Sequence, residues 1–144
     1  MIDNIKIEAC DLTYDEIHPL LVRVDKEFDP PFFCEMDIEQ YAHKLERFGH
    51  FIVSWVEGEL AGMVVYYRND EDRFIYIPLF VSIAKYARKG LGAKMLHRIC
   101  EVNPTYSQIR VQVLKSNENA IRFYLREGFV INGEDGNRYN LSRL

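Results

Sequence analysis

Apolar and polar residues alternate along two short segments of the chain, residues 5–9 and 108–114, as they do in half-buried β-strands. Apolar runs bounded by turn residues predict five more strands, at residues 50–56, 60–67, 73–83, 128–131 and 138–141. Apolar residues three and four positions apart, some of them behind a capping residue, predict helices instead. Four helices are expected, at residues 13–28, 38–48, 91–102 and 116–127.

The order of these elements indicates the fold: strand, two helices, three strands, helix, strand, helix, two strands. Strands joined by short turns are expected to pair antiparallel, and the strand–helix–strand step over residues 73–114 is expected to be a right-handed parallel crossover. We therefore expect a single domain (residues 1–144) of the α/β (α+β) class. It would contain a mixed, mostly antiparallel sheet of about seven strands, flanked by four helices. Pro78 predicts a bulge or an interruption of pairing inside its strand, with or without a functional role.

Composition narrows the functional classes. The chain has 144 residues and a formal net charge of −4, which argues against a general nucleic-acid binder. No apolar run approaches the roughly 20 residues of a membrane span, and the amino terminus lacks a signal-peptide pattern. The three cysteines are far apart, which is typical of reduced thiols and not of disulfides or a metal site. We expect a cytoplasmic monomer or homodimer without a metal.

A glycine-rich basic turn at residues 88–93, hereafter the glycine turn, joins the strand at 73–83 to the helix that follows. Its glycines allow a ligand to approach the backbone, and the first N–H groups of a helix lack internal acceptors. Residues 85–100 include five basic residues and no acidic one. The turn alone therefore predicts either an anion site or a basic, solvated helix face.

A second motif follows about two dozen residues later: Asn117-x-x-Ala120-x-x-x-Tyr124-x-x-x-Gly128-Phe129. Taken by itself, Asn117 suits a helix N-cap and Tyr124 suits a core ring. Together, the glycine turn and this motif resemble the GNAT acetyltransferase superfamily. The resemblance covers about residues 50–131, and the element order fits the whole chain.

The resemblance implies acetyl-coenzyme A as the acyl donor. It assigns the diphosphate to the glycine turn, that is, to Arg88, Lys89, Gly90, Leu91, Gly92 and Ala93. It assigns the pantetheine arm to the strand end Phe80, Val81, Ser82 and Ile83. Asn117 would form a hydrogen bond with this arm. Tyr124 would then be the general acid that protonates the leaving thiolate, since a tyrosine near pKa 10 keeps its proton at neutral pH. Backbone N–H groups near Val81 would polarise the thioester carbonyl.

Two departures from the superfamily matter. Ala87 stands where an arginine or glutamine is usual, so backbone amides must provide most of the contacts to phosphate. The strand at residues 74–83 contains no carboxylate, so the general base is open. Glu35 is taken as the candidate base, and Asp37, His50 and Tyr76 remain alternatives.

The resulting hypothesis is direct transfer of acetyl to a primary amine of a small molecule or peptide, through a ternary complex. No cysteine has the superfamily's catalytic position, which argues against an acetyl-enzyme. The alternative is a non-catalytic domain that binds coenzyme A as a sensor or interaction module. The acidity of the rest of the chain favours a cationic acceptor, but the acceptor and the length of the acyl group stay open.

Overall fold

The computed structural model describes residues 5–28, 31–87 and 90–144. Its elements are β1 (Ile5–Cys10), α1 (Tyr14–Asp25), α2 (Ile38–Phe48), β2 (His50–Val56), β3 (Glu59–Asn69), β4 (Phe74–Ser82), a short 3-10 helix (Ala84–Tyr86), α3 (Leu91–Val102), β5 (Gln108–Leu114), α4 (Glu118–Arg126), β6 (Val130–Asp135) and β7 (Arg138–Arg143). The expected order of strands and α-helices is confirmed, and the 3-10 helix is an addition that the sequence did not predict.

The strands form one seven-stranded sheet with the order β1-β2-β3-β4-β5-β7-β6. Strands β4 and β5 pair in parallel, as the crossover through α3 requires. The pairs β1–β2, β5–β7 and β6–β7 are antiparallel. The expected fold class, a mixed and mostly antiparallel sheet with four helices, is therefore confirmed.

Contacts within the chain divide it into two compact units. The first unit holds the described residues up to Val65 together with Leu79–Val102. Its helices α1 and α2 pack on each other, and the ring of Tyr14 stacks on His43 with 4.2 Å between centroids. Helix α3 packs against β1 and β2. The buried apolar residues of these helices include Ile17, Leu21, Leu45, Met95 and Ile99.

The second unit holds Tyr66–Pro78 and Asn103–Leu144. Along β5, Ile109, Val111 and Val113 are buried, while Gln108 and the other alternate residues belong to the opposite, more polar face. The parallel ladder between β4 and β5 runs from Phe74 to Ile77 and ends one residue before Pro78. This is the interruption expected of a residue without an N–H group.

The last hairpin differs from the sequence prediction. A four-residue turn was expected at residues 134–137, but Glu134 and Asp135 pair with Tyr139 and Arg138. Only Gly136 and Asn137 make the turn, because Gly136 adopts a φ of +60° that a two-residue hairpin accommodates. Strand β6 therefore reaches Asp135, farther than the predicted end at residue 131. Among the described residues, no helix is long and apolar enough to cross a lipid bilayer.

Candidate active site

The described part of the glycine turn opens helix α3. The Lys94 N–H donates to the Gly90 carbonyl at 3.1 Å, so the N–H groups of Leu91, Gly92 and Ala93 precede the first intrahelical bond. Gly90 is exposed with a φ of +77°, and a Cβ there would meet nothing within 4 Å. N–H groups at a helix start without intrahelical acceptors suit an anionic group. Arg88 and Lys89, which the sequence also assigned to the diphosphate, lie outside the described residues.

Two carboxylates hold the 3-10 helix that leads into the turn. The Ala84 N–H donates to Glu27 Oε1 at 2.6 Å, and the Tyr86 hydroxyl donates to Glu59 Oε2 at 2.8 Å. The Lys85 ammonium contacts the same Glu59 oxygen at 3.3 Å. The hydrogen bond from Tyr86, followed by Lys85, lowers the pKa of Glu59 below its usual value. Sequence reasoning missed both carboxylates, since Glu27 is 57 residues from the amide that it binds.

These contacts also revise the charge argument. Lys85 is paired with Glu59, and the Arg98 guanidinium lies 3.9 Å from Glu101. Lys94 is exposed. The local excess of cations is therefore smaller than the sequence count indicated, and the backbone amides of α3 become the main argument for an anion site.

The strand end assigned to the pantetheine arm has two kinds of side chain. Val81 and Ile83 are buried, whereas Phe80 and Ser82 are half-buried. The Ile83 N–H donates to the Ala61 carbonyl at 2.8 Å, so pairing with the β3 side continues past the end of β4. A Cβ on the neighbouring Gly62 would lie 2.9 Å from the Val81 carbonyl oxygen, which explains a glycine at this close approach. A role of this strand end in binding the arm stays a prediction.

Asn117 caps helix α4. Its Oδ1 accepts from the Ala120 N–H at 3.2 Å, which confirms the N-cap that the sequence suggested. The side chain is exposed, and its amide nitrogen donates to no group among the described residues. The side chain can therefore cap the helix with its oxygen and donate to a ligand with its nitrogen.

Tyr124 lies at the centre of the second motif and is 6% exposed. Its ring packs edge-on against Phe123 and Phe129, with centroid distances of 5.2 and 5.1 Å. Gly128 turns the chain with a φ of +94°, and the Phe129 N–H then donates to the Tyr124 carbonyl at 2.9 Å. Burial raises the pKa of Tyr124, and the nearby Tyr76 adds to the shift. The hydroxyl therefore keeps its proton at neutral pH.

Three of the four candidate bases belong to the first unit. Glu35 is exposed in the loop before α2. Asp37 caps α2, with its Oδ1 accepting from the N–H groups of Glu39 and Gln40 at 2.9 and 3.2 Å. The His50 ring contacts the carboxylate of Asp11, which follows β1, with 2.9 Å between Nδ1 and Oδ1.

Tyr76, the fourth candidate, belongs to the second unit. It is half-buried on β4, and its burial raises its pKa while Arg138 lowers it. It is the candidate close enough to Tyr124 for the two ionisations to interact. Tyr76 also lines a groove of about 780 Å³ on the polar face of the second unit's strands.

Residues 15–129, most of the chain, match the acetyltransferase (GNAT) family model. The chain therefore belongs to the GNAT acetyltransferase family.

Relatives and solved structures agree with this membership. The chain is 41% identical over 66 residues to N-alpha-acetyltransferase 50 of Danio rerio, covering 44% of this chain and 39% of that protein. It is 34% identical over 89 residues to the spermine/spermidine N(1)-acetyltransferase of Bacillus subtilis, covering 56% and 59%. The chain thus spans less than two thirds of either relative. The PaiA N-acetyltransferase of Thermoplasma acidophilum, crystallised with coenzyme A, shares the fold at a TM-score of 0.74 and 16% identity, covering 96% of this chain and 98% of that one.

Proposed function

We propose that the protein is an N-acetyltransferase that moves acetyl from acetyl-coenzyme A directly to a primary amine in a ternary complex. The observation that carries this proposal is Tyr124, a buried hydroxyl with a raised pKa on a helix that Asn117 caps. A buried, protonated phenol is suited to give a proton to a leaving thiolate, whose own pKa is near 8.5.

The described residues fit acetyl-coenzyme A in two respects. Three N–H groups at the start of α3 lack intrahelical acceptors and suit its diphosphate, and the Asn117 amide nitrogen suits a carbonyl of its arm. When bound, acetyl-coenzyme A supplies an activated acetyl group and a thiol leaving group. Glu27 and Glu59 position the turn, and Tyr124 donates the proton.

We assign proton acceptance from the amine to Tyr76, directly or through water, in preference to the expected Glu35. Tyr76 is half-buried and its charge acts on Tyr124, whereas Glu35 is exposed. Burial raises the pKa of Tyr76 above that of a free tyrosine, so its phenolate is more basic than an α-amine, whose ammonium form has a pKa near 8. The phenolate form is scarce at neutral pH, so rates should rise with pH until the amine itself is neutral.

The base assignment is tested with Tyr76→Phe and Glu35→Gln. We expect Tyr76→Phe to lower kcat at least tenfold with unchanged coenzyme A affinity, and Glu35→Gln to stay within twofold of the parent. A loss in Glu35→Gln with full activity in Tyr76→Phe would return the role to Glu35. Both rates are measured by thiol release at saturating acetyl-coenzyme A.

The function itself is tested by coenzyme A binding followed by a thiol-release screen with primary amines. Coenzyme A at 100 times its Kd should stabilise the fold by about 2.7 kcal/mol, a rise in Tm of about 5–10 °C. The relatives' names suggest which amines to include, an α-amine peptide and spermidine. Binding without turnover of any amine would favour the alternative, a non-catalytic coenzyme A-binding domain. Absence of any shift would contradict both.

A further inference from the structure

The 780 Å³ groove of the second unit has an unusual chemical lining. Among the described residues that line it, none is acidic, and two are arginines, Arg68 and Arg110. Most of the others carry amide or hydroxyl groups. Its volume lies in the range of sites that enclose small molecules, roughly 300–1,000 Å³. A polyamine would find no carboxylate here to pair with its ammonium groups.

Arg110 is held in place by two neighbours. Its guanidinium carbon lies 3.6 Å from the centroid of the Phe74 ring, and its Nε donates to Gln108 Oε1 at 2.7 Å. The two terminal nitrogens are left for another acceptor, and no carboxylate of the described residues lies within ion-pair distance of them. A guanidinium fixed through its ring contact and its Nε presents a planar pair of donors that matches a carboxylate.

The register of the sheet places Arg110 beside the proposed chemistry. Arg110 and Tyr76 are direct partners in the parallel ladder of β4 and β5, so their backbones are about 4.8 Å apart and their side chains share a face. Burial raises the pKa of Tyr76, and the positive charge of Arg138 acts against that rise. The proposed anion-binding end of the groove thus lies next to Tyr76, the residue that we propose accepts the proton of the amine.

The remaining polar side chains suit an amide-containing ligand. Gln112 Nε2 donates to Asn140 Oδ1 at 2.9 Å, and Asn132 Nδ2 donates to the Ser142 hydroxyl at 2.6 Å. Each pair still has a donor and an acceptor to offer, because a carboxamide makes more than one hydrogen bond. Such pairs can bind a peptide group from both sides.

The geometry points to an acyl acceptor that carries a carboxylate in the same molecule as its primary amine, with Arg110 binding the carboxylate. This inference rests on the proposed function and names the class of its acceptor. Two sources share this chemistry, a free amino acid and a peptide with an acidic side chain. The acceptor would not be a polyamine.

The test compares acceptors that differ only in the anion. The first arm compares a free amino acid with its carboxamide. The second arm compares two C-terminally amidated peptides, one with Asp and one with Asn next to the terminal amine. Spermidine is the cationic reference. We expect the carboxylate member of one pair to have a kcat/KM about tenfold or more above its partner, and spermidine to be the poorest acceptor. The pair that shows the effect identifies the source.

Variants then locate the effect. Arg110→Gln should abolish the preference without changing the KM of acetyl-coenzyme A, and Arg110→Lys should retain part of it. The matched control is Arg47→Gln, because Arg47 also lies over a ring, 5.0 Å from the Phe48 centroid, but does not line the groove. A preference that survives Arg110→Gln, or a parent enzyme that favours spermidine, would overturn the inference while leaving the acetyltransferase proposal intact.

Calorimetry separates the two proposals. The N-acetylated acid and its amide are titrated into the protein saturated with coenzyme A. Tighter binding of the acid that depends on Arg110, without thiol release for any amine, would refute the enzyme and retain the groove's ligand chemistry. Equal binding of acid and amide would refute the groove assignment whatever the turnover.

Discussion

Replacing Tyr124 with phenylalanine removes one hydroxyl and keeps the ring that packs against Phe123 and Phe129. Because the residue is 6% exposed and the ring stays, the fold should lose only about 1 kcal/mol. If the hydroxyl is the general acid, kcat should fall by about 100- to 10,000-fold, or about 3–5 kcal/mol in activation free energy. Coenzyme A affinity should change little, since the proposed diphosphate donors are amides of α3.

The same substitution should change how stability depends on pH. Burial, with a smaller contribution from Tyr76, raises the pKa of Tyr124 above that of an unfolded tyrosine, about 10. Its contribution to stability is therefore complete below pH 10 and is lost as the pH rises beyond it. Urea unfolding at pH 8 and pH 11 should show a smaller alkaline loss in Tyr124→Phe than in the parent. Ionisation of Tyr124 should therefore cause no change in the pH–rate profile below pH 10.

Steady-state thiol release gives kcat, and calorimetry gives the Kd of coenzyme A. The control is Tyr139→Phe, a half-buried tyrosine of β7 to which no role is assigned, and its kcat should stay within twofold. A Tyr124→Phe enzyme within threefold of the parent would refute the general-acid role. A parallel loss of coenzyme A affinity and rate would show that the hydroxyl binds the ground state and does not transfer the proton.

Three further substitutions test the parts around this hydroxyl. Glu59→Gln weakens the contact that holds Tyr86 before the glycine turn, so the Kd of coenzyme A should rise several-fold while kcat at saturation is kept. Asn117→Ala should cost about 1 kcal/mol of stability and also weaken coenzyme A binding, whereas Asn117→Ser keeps a cap and should lose only the binding. Gly62→Ala places a methyl group 2.9 Å from the Val81 carbonyl, so the urea midpoint should fall, by about 1–3 kcal/mol in unfolding free energy. An unchanged Kd in the first two variants would contradict the roles of Glu59 and Asn117, and an unchanged midpoint in the third would contradict the close approach at Gly62.

Elements defined by local signals were predicted well from the sequence. Helix α2 spans Ile38–Phe48 and strand β5 spans Gln108–Leu114, both as expected. The apolar periodicity of α2 is supported by a cap at Asp37, and β5 alternates along its whole length. The end of β6 was wrong because the composition of residues 134–137 suits a turn of either two or four residues. The conformation of Gly136 and the pairing with β7 decide between them.

The residues of the candidate site also divide into those that a local sequence signal predicts and those that depend on tertiary contacts. Asn117 and Tyr124 belong to one short motif, so the cap and the buried ring were predictable from spacing within a single helix. The carboxylates of Glu27 and Glu59 were not, since each reaches its partner across a tertiary contact that no local pattern encodes. The 3-10 helix before the glycine turn was missed for the same reason.

The acceptor class depends most on three-dimensional structure. A shift of one residue in the pairing of β5 would turn Ile109 to the face that Arg110 now occupies and Arg110 away from it, since side chains alternate between faces. The acidity of the chain outside residues 85–100 favoured a cationic acceptor, but charges beyond about 8–10 Å are largely screened at physiological salt. Arg110 lines the groove, and the charge of Arg138 acts on Tyr76. For this reason the groove, and not the overall charge, determines the amine that we expect the enzyme to accept.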